Sequence, residues 1–182
     1  MRPLFARLLL AAPAAAALPA LAALGATIGT GCNDATHDMQ VAALGGEDPG
    51  VPQGPLHRPG QPCLVCHGGQ GPASSQFSTG GTVYTNNTST TPASGVTVTV
   101  EDINGSVGTT PSNAAGNFYI PSGTWSPTYP TLPSVTAPGS VPQAMTSHVG
   151  RDGSCAHCHS DPASPTSAGH IYVNYVAPSH GP

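Results

Sequence analysis

Two five-residue motifs of one design, Cys63-Leu64-Val65-Cys66-His67 and Cys155-Ala156-His157-Cys158-His159, stand 92 positions apart in a chain of 182 residues. Each sets two thiols three positions apart and places a histidine directly after the second. Together they take four of the five cysteines. Whatever the chain folds into has to present both motifs, and has to do so without long helices. Glycine and proline make up 44 residues, about a quarter of the chain, and both are poor helix formers. Aromatic residues amount to 5%, so side chains alone would give a thin core.

Cys-x-x-Cys-His is the attachment pattern of c-type haem. Two thiols at that spacing add across the two vinyl groups of one porphyrin, and the adjacent histidine lies under the ring, where it can ligate the iron. Two copies predict two c-type haems, attached at Cys63 and Cys66 and at Cys155 and Cys158, with His67 and His159 as proximal iron ligands. The haems would also add buried apolar surface. Two other readings of the cysteines stay open. A four-cysteine zinc site pairs two Cys-x-x-Cys knuckles usually about 15–20 residues apart, whereas 88 residues separate Cys66 from Cys155. Two disulfides would suit an oxidising compartment. Neither requires a histidine after the second cysteine in both copies.

Residues 1–31 read as a signal peptide of the lipoprotein type. Arg2 and Arg7 open it, and an alanine- and leucine-rich run over residues 8–24 follows, broken by Pro13 and Pro19. That pattern suits a secretory core better than a membrane span. Cys32 follows Gly29-Thr30-Gly31, which resembles the bacterial lipoprotein cleavage site and makes Cys32 the lipidation candidate. Rival readings are an uncleaved anchor, or cleavage near Ala23-Leu24-Gly25 that leaves Cys32 free. The expected location is the periplasm or cell surface, as an outer-membrane lipoprotein of a Gram-negative bacterium. Cleavage before Cys32 removes Arg2 and Arg7 and leaves two arginines against eight acidic residues, a formal charge of −6. Nucleic acid is therefore an unsuitable partner.

Breakers then divide the chain. Residues 32–56 read as a flexible tether without periodicity, and 57–76 as a first haem arm. Residues 77–145 change texture. Val96-Thr97-Val98-Thr99-Val100 alternates as a half-buried strand does. Gly81-Thr82-Val83-Tyr84 starts another strand, Asn104-Gly105 is a hairpin signal, and residues 113–116 make a second turn. Asn117-Phe118-Tyr119-Ile120 would place Phe118 and Ile120 inward. Trp125 and residues 129–135 suggest edge strands interrupted by prolines. Glu101, Asp102 and Asn104 read as a solvated turn, since one acidic turn lacks the six or more oxygens that calcium takes. Asn86, Asn87 and Asn104, each in an Asn-x-Ser/Thr match, read as turn residues. The fold class expected is mainly β, a small antiparallel β-sandwich flanked by two loop-rich haem arms, the second spanning 146–182, with few or no long helices after the leader.

Gly81 to Tyr84, Pro92-Ala93-Ser94-Gly95-Val96-Thr97-Val98-Thr99-Val100 and Asn113-Ala114-Ala115-Gly116-Asn117-Phe118-Tyr119-Ile120 together resemble the carboxypeptidase-regulatory-like, transthyretin-like β-sandwich. That resemblance covers residues 80–122 and implies a structural or adhesive module without catalysis of its own. The two arms resemble those of small multihaem c-type cytochromes of exported bacterial electron-transfer chains.

A short, gapped repeat links the arms. His57 precedes Cys63 by six positions and His148 precedes Cys155 by seven. Pro-Ala-Ser recurs at 72–74 and 162–164, Gly-x-(Val/Ile)-Tyr at 81–84 and 169–172, and Asn86 and Asn174 close the two stretches. His57 and His148 are the candidate distal ligands, with His170 in reserve; Met145 could compete with His148, and would raise the potential. His37 and His180 lie near the ends, and His157 lies inside its own attachment loop. The function expected is electron transfer by an exported dihaem c-type cytochrome, a carrier and not an enzyme, anchored through lipid at Cys32 and serving redox proteins or an extracellular acceptor. The alternatives are a non-redox adhesion or binding β-sandwich with disulfide- or zinc-closed loops, and a haem enzyme or sensor with an open iron site.

Overall fold

The computed structural model describes residues 34–161 and 164–174. Residues 1–31, which the sequence reads as a signal peptide, lie outside the described residues, as do Cys32 and His180. Strand β1 (Phe77–Asn86) runs between β4 (Asn117–Pro121) and β7 (Ile171–Asn174) in a three-stranded sheet. A second sheet follows the order β3 (Val107–Pro111), β2 (Thr97–Asp102), β5 (Thr131–Thr136), β6 (Gln143–Ala144). Helices are short: α1 (Ala35–Ala43), α2 (Cys63–His67) and a 3-10 turn at Cys155–His157. The chain is thus mainly β, with two sheets and no long helix among the described residues.

The alternation in β2 becomes a burial pattern. Val96, Val98 and Val100 are buried with Phe118, Ile120 and Val83, while Thr97 and Glu101 face solvent. Phe118 and Ile120 point inward from β4 as the sequence requires, and Tyr119 points out. The Asn104-Gly105 signal forms the β2–β3 hairpin, with Gly105 at φ 77°. The turn at 113–116 is closed by Asn113, whose Oδ1 accepts from the N–H groups of Ala115 and Asn117.

Four features depart from expectation. Strand β7, in the second arm, pairs with β1 in parallel, so the first sheet is mixed; the other strand pairings are antiparallel. The proline-interrupted strand β5 is not an edge: it lies between β2 and β6. Pro133 is tolerated because its C=O accepts from Met145 on the β6 side. Its missing N–H therefore faces the two-residue β6 and costs nothing in the ladder with β2. Residues 32–56 are not without structure, since α1 occupies 35–43. Trp125 sits outside the strands, packed against the core with its indole N–H donating to Ser106 Oγ at 3.0 Å.

Asp102 ties the hairpin end to the next connection. Its Oδ1 accepts from Asn104 and Ser106 N–H and its Oδ2 from Thr128 N–H, at 2.9, 2.9 and 3.0 Å. The Thr128 bond foremost, then those from Ser106 and Asn104, hold its pKa below the ordinary 3.8. A carboxylate with a lowered folded pKa stabilises the fold above its unfolded value, and that contribution is lost as pH falls through the folded value. Asp102→Asn is therefore expected to be less stable than wild type at neutral pH, with the gap closing towards about pH 2. Urea unfolding at both pH values measures it; an equal gap at both would refute the assignment.

Candidate functional site

The pleat of a strand sends successive side chains to opposite faces. At Gly80 and Gly81 of β1 there are none, and the two cysteine motifs use that space. A Cβ built on Gly80 would lie 3.1 Å from Cys63 Cβ; one on Gly81 would lie 2.9 Å from Cys155 Cβ and 2.9 Å from Phe118 Cζ. The motifs, so distant in sequence, thus lodge against opposite faces of adjacent residues. The second is also joined to β1 by its backbone: Gly80 N–H donates to Gly153 O at 2.9 Å, and Ser154 bridges Gly80 in parallel. Ser154 is 2% exposed, and its hydroxyl has no hydrogen-bond partner.

The first motif is held by a polar chain. Gly60 N–H donates to Thr82 Oγ1 at 2.7 Å, and that hydroxyl donates to Asn117 Oδ1 at 2.8 Å. Asn117 Nδ2 then donates to the carbonyl of His57 at 2.8 Å. Two buried side chains on β1 and β4 thereby fix the backbone that leads into α2.

Both motif histidines are oriented alike. His67 Nδ1–H donates to Ser75 O at 2.8 Å, and His159 Nδ1–H to Gly169 O at 2.7 Å. A carbonyl only accepts, which fixes the proton on Nδ1 and leaves the Nε2 lone pair available. Metal-bound histidines are held by such carbonyls in this way. His67 also stacks on Phe77 at 4.2 Å, and Phe77 on Tyr119 at 4.4 Å, giving this side of the site an aromatic wall.

Cys63, Cys66, His67, His57 and Phe77 line one cleft of about 900 Å³, within the range of cofactor pockets. The His57 and His67 ring centroids are 5.9 Å apart. Two imidazoles bound to one metal at about 2 Å each have centres roughly 6 Å apart, so the pair suits a shared iron. Glu47 Oε1 accepts from His57 Nδ1 at 3.3 Å and from Arg58 Nε at 3.0 Å. The Arg58 guanidinium also donates to the carbonyls of Leu44 and Gly45 and to Gln61. The hydrogen bond from Arg58, then its charge and that of His57, hold the Glu47 carboxyl below its ordinary range.

The other candidates are placed differently. His148 is exposed. His170 stacks on Tyr84 and has both ring nitrogens engaged, Nδ1 by Ser89 O at 3.1 Å and Nε2 by Asp161 at 3.3 Å. His157 is paired with Asp152. The four cysteines are free thiols. Burial, then the neighbouring Cys66, pushes Cys63 up to about 11; burial, then Cys63 and Asp152, pushes Cys155 up to about 12. Among the described residues no three His, Cys, Asp or Glu side chains gather as a metal cage.

Sequence reasoning missed Glu47, Arg58, Thr82 and Asn117. The adjacent glycines at 80 and 81 were the available signal of a close backbone approach. Comparison with family models, with curated proteins and with solved structures finds no match.

Gly81→Ala forces its new methyl against Cys155 and the Phe118 ring. Overpacking of that kind costs about 1–3 kcal/mol. Denaturant unfolding is expected to show a loss in that range, while Gly123→Ala, whose Cβ meets nothing within 4 Å, stays near wild type. Equal effects would mean that the close approach is not what the glycine serves.

Proposed function

We propose that the chain is an exported dihaem c-type cytochrome that carries electrons. The observation that supports this best is the shared orientation of His67 and His159, each with Nδ1–H given to a backbone carbonyl and Nε2 left as a donor to iron. In this reading Cys63 and Cys66 hold one haem and Cys155 and Cys158 the other. The haems supply a one-electron Fe(III)/Fe(II) couple. The chain's part is to orient the ligands, wall the first cleft with Phe77 and Tyr119, and keep the two attachment points close. The β-sandwich, whose strands resemble the transthyretin-like pattern, acts as the scaffold for both.

Partners follow from charge. With two arginines left after the leader, the mature surface suits a basic redox protein or a positively charged mineral surface. Lipid at Cys32 would anchor the protein to the membrane. An adhesive module needs none of the histidine geometry, so it ranks second.

Expression with a cytochrome c maturation system tests the reading. The expected result is a mass gain of two haems and a sharp α band on reduction. Cys63→Ser with Cys66→Ser, and Cys155→Ser with Cys158→Ser, should each retain one. Cys63 and Cys155 lodge on adjacent residues, which puts the haem attachments on the order of 10 Å apart. An exciton couplet in visible circular dichroism is therefore expected for the two-haem protein and lost in each one-haem variant. Wild-type protein without covalent haem would refute the proposal.

A further inference from the structure

The cleft beside the first motif holds more than an attachment loop. We propose that His57 is the sixth iron ligand of the haem joined to Cys63 and Cys66, and that Glu47 is the residue that positions it. This rests on the haem reading above.

Three observations carry it. First, the His57 and His67 rings lie 5.9 Å apart at 74°, in a cleft that both attachment thiols line. Second, His57 is positioned from both ends. Its carbonyl is held by Asn117 Nδ2 at 2.8 Å, and its ring by Glu47 at Nδ1. The carboxylate only accepts, so the proton is fixed on Nδ1 and Nε2 carries the free lone pair. Third, Glu47 is itself fixed. Arg58 gives its Nε–H to the same Oε1, and three further donors close on Leu44 O, Gly45 O and Gln61 Oε1. Arg58 holds a left-handed backbone, φ 50°, which is uncommon for a residue with a side chain. Such strain persists where the surroundings over-determine it. The segment that the sequence presents as a spacer becomes the support of a metal ligand.

The chemistry gives Glu47 a distinct signature. A carboxylate on the far nitrogen makes an imidazole a stronger donor, which favours the ferric state and lowers the potential. Asp161 and Ser89 already occupy both nitrogens of His170, so the two haem environments are unlike.

The test uses the mature protein loaded with haem in a Cys155→Ser, Cys158→Ser background, so that only the first site reports. The parent is expected to be six-coordinate and low-spin, and to bind no carbon monoxide when reduced. His57→Ala should become high-spin and bind carbon monoxide, with added imidazole restoring the low-spin spectrum. Glu47→Gln should stay low-spin but move to a more positive midpoint potential. A His57→Ala protein that carries haem and remains low-spin overturns the ligand assignment. An unshifted potential in Glu47→Gln overturns the role given to Glu47. Loss of covalent haem in the parent, read by mass, would instead sink the haem reading beneath both.

Discussion

The close approach of two cysteine loops to one glycine pair organises this protein. Strand β1 is buried from Thr79 to Tyr84 without interruption, as a strand covered on both faces must be. One face meets the valines of the second sheet. The other meets the first arm. Side chains at 80 and 81 would hold the motifs off the sheet, and the arms would lose their common support. The β-sandwich is thus better described as a jig than as a spacer: a separation of 92 residues shrinks to neighbouring positions of a single strand.

Few charges are available to hold the arms, so the work falls to buried polar groups. Thr82 and Asn117 are 5% and 7% exposed, and their hydrogen bonds run to backbone atoms of residues 55–60. A buried polar group left unpaired is costly, so this contact is specific as well as stabilising. Arg58 does the same for residues 44–47. One guanidinium with five donors is enough to fold a breaker-rich stretch back against α2.

The middle of the fold was legible because its signals are local. Alternation at 96–100 shows which face is buried, and Asn104-Gly105 shows where the chain reverses. What escaped depends on contacts between distant residues. Nothing around Ile171 says that it will lie beside Val83 in parallel. Pro133 argues against an inner strand until the side of its missing N–H is known. The site divides in the same way. The thiols and motif histidines stand in two contiguous motifs, whereas Glu47 matters only because Arg58 and His57 return to it through space. Periodicity could not find α1 either, since none of its residues is buried.

The repeat gains a physical meaning from the register of β1 and β7. Val83 pairs with Ile171, Tyr84 with Tyr172 and Asn86 with Asn174, the very positions at which the two arms correspond in sequence. Two copies of one unit that run in the same direction side by side form a parallel ladder, which otherwise needs a long crossover; the remaining strands of the sandwich supply it. Neighbouring copies cannot share one environment, however. β1 is central and β7 lies at the sheet's edge. Tyr84 is 3% exposed and stacks on His170. His57 faces Glu47, while its counterpart His148 faces solvent. Axial ligation, hydrogen bonding and burial are what set a haem potential. Under the proposed dihaem reading, two sites of one covalent design in such unlike surroundings would differ in potential, and that difference would give an electron passing between them a direction.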